Sequence, residues 1–146
     1  MSVEDFLSTA VGHHQAGRLE AAKTHYEQVL EASPGHADAL HFLGLIAHQR
    51  GDHDAALARL DAAIASRGDA APFHNNRGSI LLALGRAEEA AASYRQALTL
   101  RPDYVEALSN LGGVLVRLGQ GEEAATACRR ALALDPSHAE AHNNLG

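Results

Sequence analysis

The sequence predicts an all-α fold built as a stack of antiparallel helix pairs. Three observations predict it: an alanine-rich composition poor in aromatics, a glycine that recurs every 34 residues, and a chain breaker at one fixed phase between units. Hydrophobic residues make up 46% of the 146 and aromatic residues only 4%, with no tryptophan, so burial must come from close packing of small side chains. This length fits one domain or one stack of small repeats.

The elements follow from the repeat. Gly17, Gly51, Gly85 and Gly119 stand 34 residues apart without a slip. A second series, Gly44, Gly78, Gly112 and Gly146, keeps the same spacing with Ala10 at the matching place, and Ala22, Ala56, Ala90 and Ala124 form a third. On both sides of the central glycine apolar residues recur at helical spacing, as in Leu40, Leu43, Ala47 and then Ala56, Leu60, Ala63, so each unit reads as helix, turn, helix. Glycine suits that turn because it leaves a helix in a conformation that other residues adopt at a steric cost. In the first unit Pro34 closes the second helix, since proline does not continue one. The second unit has Gly68 at that phase and delays its proline to Pro72, and Pro102 and Pro136 close the third and fourth. The small residue inside each helix, Gly44 or Ala56 for example, lets a neighbouring backbone approach and is a packing contact rather than a hinge.

These residues resemble the tetratricopeptide repeat family, whose 34-residue unit has small residues at positions 8, 20 and 27, glycine at 15, an aromatic or large residue at 24 and proline at 32. Position 24 here is Tyr26, Leu60, Tyr94 and Cys128, and position 27 is Val29, Ala63, Ala97 and Ala131. In this register the chain is a single array with repeats 3–36, 37–70, 71–104 and 105–138, followed by residues 139–146 as the start of a fifth repeat's first helix. The resemblance implies a right-handed superhelical α-solenoid. Met1 with the capping Ser2 reads as a natural start, and an end inside a helix reads as a cut, so an N-terminal portion of a longer protein is expected.

Composition also excludes functions. Twelve basic residues against eighteen acidic ones give a net charge of −6, the opposite of a nucleic-acid footprint. No run of about 18 apolar residues exists, so no membrane span is expected. The single Cys128 excludes an intramolecular disulfide and multi-cysteine metal sites, which fits a reducing cytoplasm. Nucleophile-elbow, phosphate-loop, zinc-helix and dinucleotide patterns are all missing, and the expectation is a non-enzyme without cofactor or catalytic residue.

The family's usual activity, binding a protein or peptide segment in a groove lined by the first helix of each repeat, is what the resemblance implies here. Position 6 carries Ser8, Phe42, Asn76, Asn110 and Asn144. An asparagine amide offers a donor and an acceptor and so grips an extended backbone without reading its side chains. Together with Leu145-Gly146 and its echoes, this series resembles the asparagine ladder of bacterial O-linked N-acetylglucosamine transferase-like repeats, and implies a recruiting arm for a glycosyltransferase. Asn75 and His41 at position 5, Leu45 and Ser79 at position 9, His48 at position 12 and Arg117 complete the candidate groove. Position 2, with Glu4, Asp38, Pro72, Glu106 and Glu140, gives it an acidic rim. The lysines of a carboxylate clamp are missing, since the only lysine, Lys23, lies on a second helix. Arg77 falls at a position that is normally apolar, and its guanidinium is expected to snorkel to solvent.

Ten histidines raise the question of a metal site, and His14, His41 and His48 fall on the groove face. Equivalent residues on adjacent helices start from axes about 8–10 Å apart, a poor geometry for one ion, so no metal is expected. His13, His25, His53 and His74 read as packing or turn residues, and Cys128 as an inert core thiol. The alternative function is a self-associating scaffold, a homo-oligomer joined through its repeat ends, where Leu145 is left uncovered.

Overall fold

The computed structural model describes residues 2–146, and the expectation placed on Met1 lies outside the described residues. Among them are nine helices and no strand. They fall into two compact units, residues 1–68 and 69–146.

The first unit holds α1 (Val3–Gln15), α2 (Leu19–Ala32), α3 (Ala37–Gln49) and α4 (His53–Ser66). Ser2 starts α1 with a capping box: its hydroxyl accepts from the Asp5 amide at 3.2 Å, and Asp5 Oδ2 accepts from the Ser2 amide at 3.0 Å. Ring nitrogen of His36 and carboxylate of Asp52 play the accepting role for α3 and α4. Each helix packs on the next in sequence. Ala10, Ala22, Tyr26, Val29, Ala39, Leu43 and Ile46 form the core, with Phe6, Leu30 and Phe42 laid against it.

The second unit holds α5 (Ala71–Ala83), α6 (Ala87–Leu100), α7 (Val105–Arg117), α8 (Gly121–Leu134) and α9 (Ala139–Leu145). Here too each helix packs on its successor, and the first helices also touch one another, α5 on α7 and α7 on α9. The inner face of α5 to α9 is built from Phe73, Ile80, Leu81, Tyr94, Leu108, Val114, Leu115 and Cys128, all buried.

Local sequence explains the turns in both units. Gly17, Gly51, Gly85 and Gly119 take φ of +79°, +81°, +77° and +75°, the left-handed region that costs an L-residue with a Cβ. The residue after each glycine then returns its amide to the helix, as Arg18 to the His13 carbonyl at 2.8 Å and Arg86 to the Leu81 carbonyl at 2.9 Å. Second helices end one residue before an extended backbone at Ser33, Arg67, Arg101 and Asp135. Three of these precede a proline, whose ring excludes helical backbone from its predecessor. Arg67 precedes Gly68 and adopts the same geometry, so the helix end does not depend on the ring.

Position 8 is a contact. A Cβ built on Gly44 would meet Leu60 Cδ2 at 2.2 Å, and one on Gly112 would meet Cys128 Sγ at 2.4 Å. The second helix of the pair therefore lies directly against the first, with the position-24 side chain crossing the place of the missing methyl.

Candidate functional site

In each unit the groove residues lie on the first helices of the pairs, and the two units furnish them differently. In the first unit they form an aromatic cluster. Tyr26 stacks on Phe42 with ring centroids 5.2 Å apart, and His14 stands edge-on to both, at 6.0 and 5.9 Å. The Tyr26 hydroxyl lies 3.2 Å from His14 Nδ1. His41 packs tilted against Phe42 at 5.2 Å and is only 7% exposed, so it supports the groove from below. Leu45 is partly buried beside it. His48, also partly buried, turns to the start of α4, with its Nδ1 3.0 Å from Nδ1 of His53.

Burial governs the charge of this surface. Desolvation pulls His41 down to about 4, with Arg67 and His14 adding to the effect and Asp38 opposing it. Desolvation also lowers His14, and desolvation with the His53 charge lowers His48. Tyr26 is pushed up to about 12 by burial. The rings of His14, His41 and His48 thus favour their uncharged form at pH 7, and their nitrogens act as hydrogen-bond partners rather than as cations.

The second unit carries amides and charges instead. Asn110 Nδ2 donates to Asn75 Oδ1 at 3.0 Å, and Asn144 Nδ2 donates to the Ser109 carbonyl at 3.0 Å. In both cases the position-6 amide of one repeat is anchored on position 5 of the repeat before. Asn75 is 3% exposed and belongs to this anchoring layer. Asn76 stands half-buried on α5. A primary amide has two hydrogens and one carbonyl oxygen, so each anchored side chain keeps a donor and an acceptor for a ligand. Gly113 makes room for one of them, since a Cβ there would stand 3.2 Å from Asn144 Nδ2.

Beside these amides lies a depression of about 370 Å³ whose lining includes Tyr94, Ser109, Asn110, Arg117, Glu140 and Asn144. A second, of about 440 Å³, is lined by Glu106, Asn110, His138, Ala139 and Glu140. Along α7 the residues Glu106, Asn110, Gly113 and Arg117 follow helical spacing, so acid, amide and guanidinium succeed one another on one face. Ser79 extends the polar surface, with its hydroxyl 3.0 Å from that of Tyr94. Burial raises the Tyr94 phenol, against the opposing effect of the Ser79 bond.

Some expectations need correction. Arg77 does not simply reach water, because its Nη1 donates to the buried Ser93 hydroxyl at 2.9 Å. A buried hydroxyl needs a partner, and the guanidinium meets that need more closely than solvent does. The position-24 tyrosines, Tyr26 and Tyr94, also reach the groove with their hydroxyls, one to His14 and one to Ser79. Cys128 is buried against Gly112, and burial raises its thiol. Among the described residues no group of three or more His, Cys, Asp and Glu side chains converges as a metal site, and no helix is long and apolar enough to cross a membrane.

Comparison with known proteins places this geometry. The tetratricopeptide repeat profile matches residues 10–75, 49–105 and 75–139. No curated sequence matches significantly. Among solved structures, pilF of Pseudomonas aeruginosa is 26% identical with a TM-score of 0.89, over 98% of this chain and 65% of that one. An O-GlcNAc transferase of Thermobaculum terrenum is 29% identical with a TM-score of 0.85, over 90% of this chain but only 26% of the transferase. The first repeat domain of Spaghetti (RPAP3), solved bound to the HSP90 peptide SRMEEVD, is 26% identical with a TM-score of 0.74, over 75% of this chain and 87% of that one. The chain belongs to the tetratricopeptide repeat family.

Proposed function

We propose that this chain is a protein-interaction module that holds an extended segment of a partner along the first helices of its repeats. The observation that carries the reading is the pair of amides Asn110 and Asn144, each fixed by one hydrogen bond to the repeat before it, beside an open depression. Fixing the amide in advance lowers the entropy lost when a ligand binds. An extended backbone alternates donors and acceptors, which matches a row of amides that each present both. The likeness to a domain solved with a bound peptide supports this use of the fold. The 29% identity to transferase repeats supports a finer role, the recruitment of protein substrates to a glycosyltransferase.

The test starts from peptides selected against the chain out of a random twelve-residue library. Their affinity is measured by calorimetry on the parent and on Asn110→Ala with Asn144→Ala. Loss of two backbone-directed hydrogen bonds, each worth about 0.5–1.5 kcal/mol, predicts binding weaker by roughly five- to 150-fold with helix content unchanged. Equal affinity in the double variant sinks the groove reading.

A further inference from the structure

The first unit holds a cavity that none of the groove residues lines. It measures about 270 Å³ and lies where α2, α3 and α4 meet, with Leu43 and Ile46 in its floor and Lys23, Arg50, Arg59 and Asp52 around it.

The repeat register shows how unusual this lining is. Position 14 is Ala16, Arg50, Leu84 and Leu118 along the four repeats. Position 23 is His25, Arg59, Ser93 and Ala127, and position 21 is Lys23, Leu57, Ala91 and Ala125. Three cations therefore replace alanine, serine, histidine or leucine at three separate repeat positions, and the fold brings all three to one cavity. They do so in a chain of net charge −6 whose only lysine is Lys23. Arg50 pairs with Glu20 at 2.5 Å, and Asp52 caps α4 by accepting from the Ala55 amide. Lys23 and Arg59 form no ion pair among the described residues.

From this convergence we infer that the cavity is a second binding site, for a small organic anion: a single carboxylate carried on a short apolar body. Two cations that form no ion pair favour an anion, and Asp52 in the lining, with Glu27 and Glu31 beside Arg59 in the adjoining depression, disfavours a second negative charge on it. The leucine and isoleucine floor favours a hydrocarbon body over a bare oxyanion. Since water occupies about 30 Å³ in the liquid, the volume suits a ligand of about ten heavy atoms or fewer. The site is independent of the groove reading, because no residue is shared.

Hexanoate is the probe, with hexanol and inorganic phosphate as its neutral and its hydrophilic controls. Binding is followed through the methyl NMR signals of Ile46 and Leu43. Hexanoate is expected to shift these methyls, to bind at least tenfold more tightly than hexanol, and to resist displacement by equimolar phosphate. Lys23→Ala and Arg59→Ser introduce the residues that the third repeat carries at those positions, so the protein is expected to keep its thermal midpoint while hexanoate affinity falls at least fivefold. Acetylated alanine, small enough for the cavity, compared with its amide separates the sources of such an anion: tighter binding of the free acid than of hexanoate assigns the site to a peptide terminus, and weaker binding assigns it to a free organic acid. Hexanol binding as tightly as hexanoate, unchanged affinity in the variants, or shifts confined to the groove residues overturns the inference.

Discussion

The two units of the chain fill identical repeat positions with different chemistry, and position 5 shows the contrast best. In the first unit it is Leu7 and then His41, a titratable ring held buried and neutral. In the second it is Asn75 and Ser109, which carry no charge at any pH and instead receive the amides of Asn110 and Asn144. Position 24 repeats the lesson, since Tyr26 turns its hydroxyl to His14 at position 12 and Tyr94 turns to Ser79 at position 9. Helix pairing rests on the small residues at positions 8, 20 and 27, which leaves the groove-side positions open to variation. One scaffold thus carries an aromatic, proton-sensitive surface in one unit and an amide surface in the other.

Acid is expected to have the largest effect on this contrast. A histidine whose folded pKa is about 4, against about 6.5 unfolded, is neutral in both states above pH 6.5, where the full stability of the fold is present. Between 6.5 and about 4 the unfolded chain binds the proton and the folded one does not, so stability falls as pH falls, by about 3 kcal/mol at most. His14 and His48, lowered in the same direction, add to the loss in the same unit. Denaturant unfolding from pH 7 to 5, with hydrogen exchange to locate the change, is expected to show α3 losing protection ahead of α7. His41→Asn, the residue of the third repeat, is expected to flatten the dependence. An α7 that loosens first would reverse the comparison.

Next in size is the contact at position 8. A methyl added at Gly78 would stand 2.6 to 2.9 Å from three atoms of the Tyr94 ring, which does not bend out of the way. The first repeat already solves this problem, because Ala10 sits in the same place and its Tyr26 hydroxyl is found at position 12, on His14. In the third repeat position 12 is Leu82, which offers no polar partner. Gly78→Ala therefore costs about 1–3 kcal/mol of overpacking, offset in part by about 0.5–1 kcal/mol of gained helix propensity. Thermal unfolding is expected to show a net loss, partly recovered by adding Leu82→His. A net gain in stability would mean that the ring slides without cost and that position 8 does not direct the tyrosine.

Much of this was legible in the chain itself. The positive φ of Gly51 and Gly119 and the tight fit at Gly44 and Gly112 follow from a period that repeats four times, because each copy is evidence for the others. The burial of His41 and Asn75 was not legible, since helical spacing puts positions 5 and 6 side by side on the groove flank and packing between helices decides which is covered. Arg77 was misread for the same reason: its partner Ser93 lies sixteen residues away, on the next helix. The cavity beside Lys23, Arg50 and Arg59 was hidden by their separation in sequence, and only the meeting of α2, α3 and α4 brings them together.

The smallest expected effect tests the tyrosine hydroxyls one at a time. Tyr26→Phe and Tyr94→Phe each leave the buried ring in place and remove one hydrogen bond, to His14 at 3.2 Å and to Ser79 at 3.0 Å. Each loss is worth about 0.5–1.5 kcal/mol by denaturant unfolding. Their pH dependence is expected to differ, because Ser79 does not titrate whereas His14 gains a proton as pH falls, which leaves both its ring nitrogens donors. The cost of Tyr94→Phe should stay level between pH 8 and 5, while that of Tyr26→Phe should change as His14 titrates. Two level profiles would remove His14 and Tyr26 from the proton-sensitive surface of the first unit and leave its acid response to the buried ring of His41.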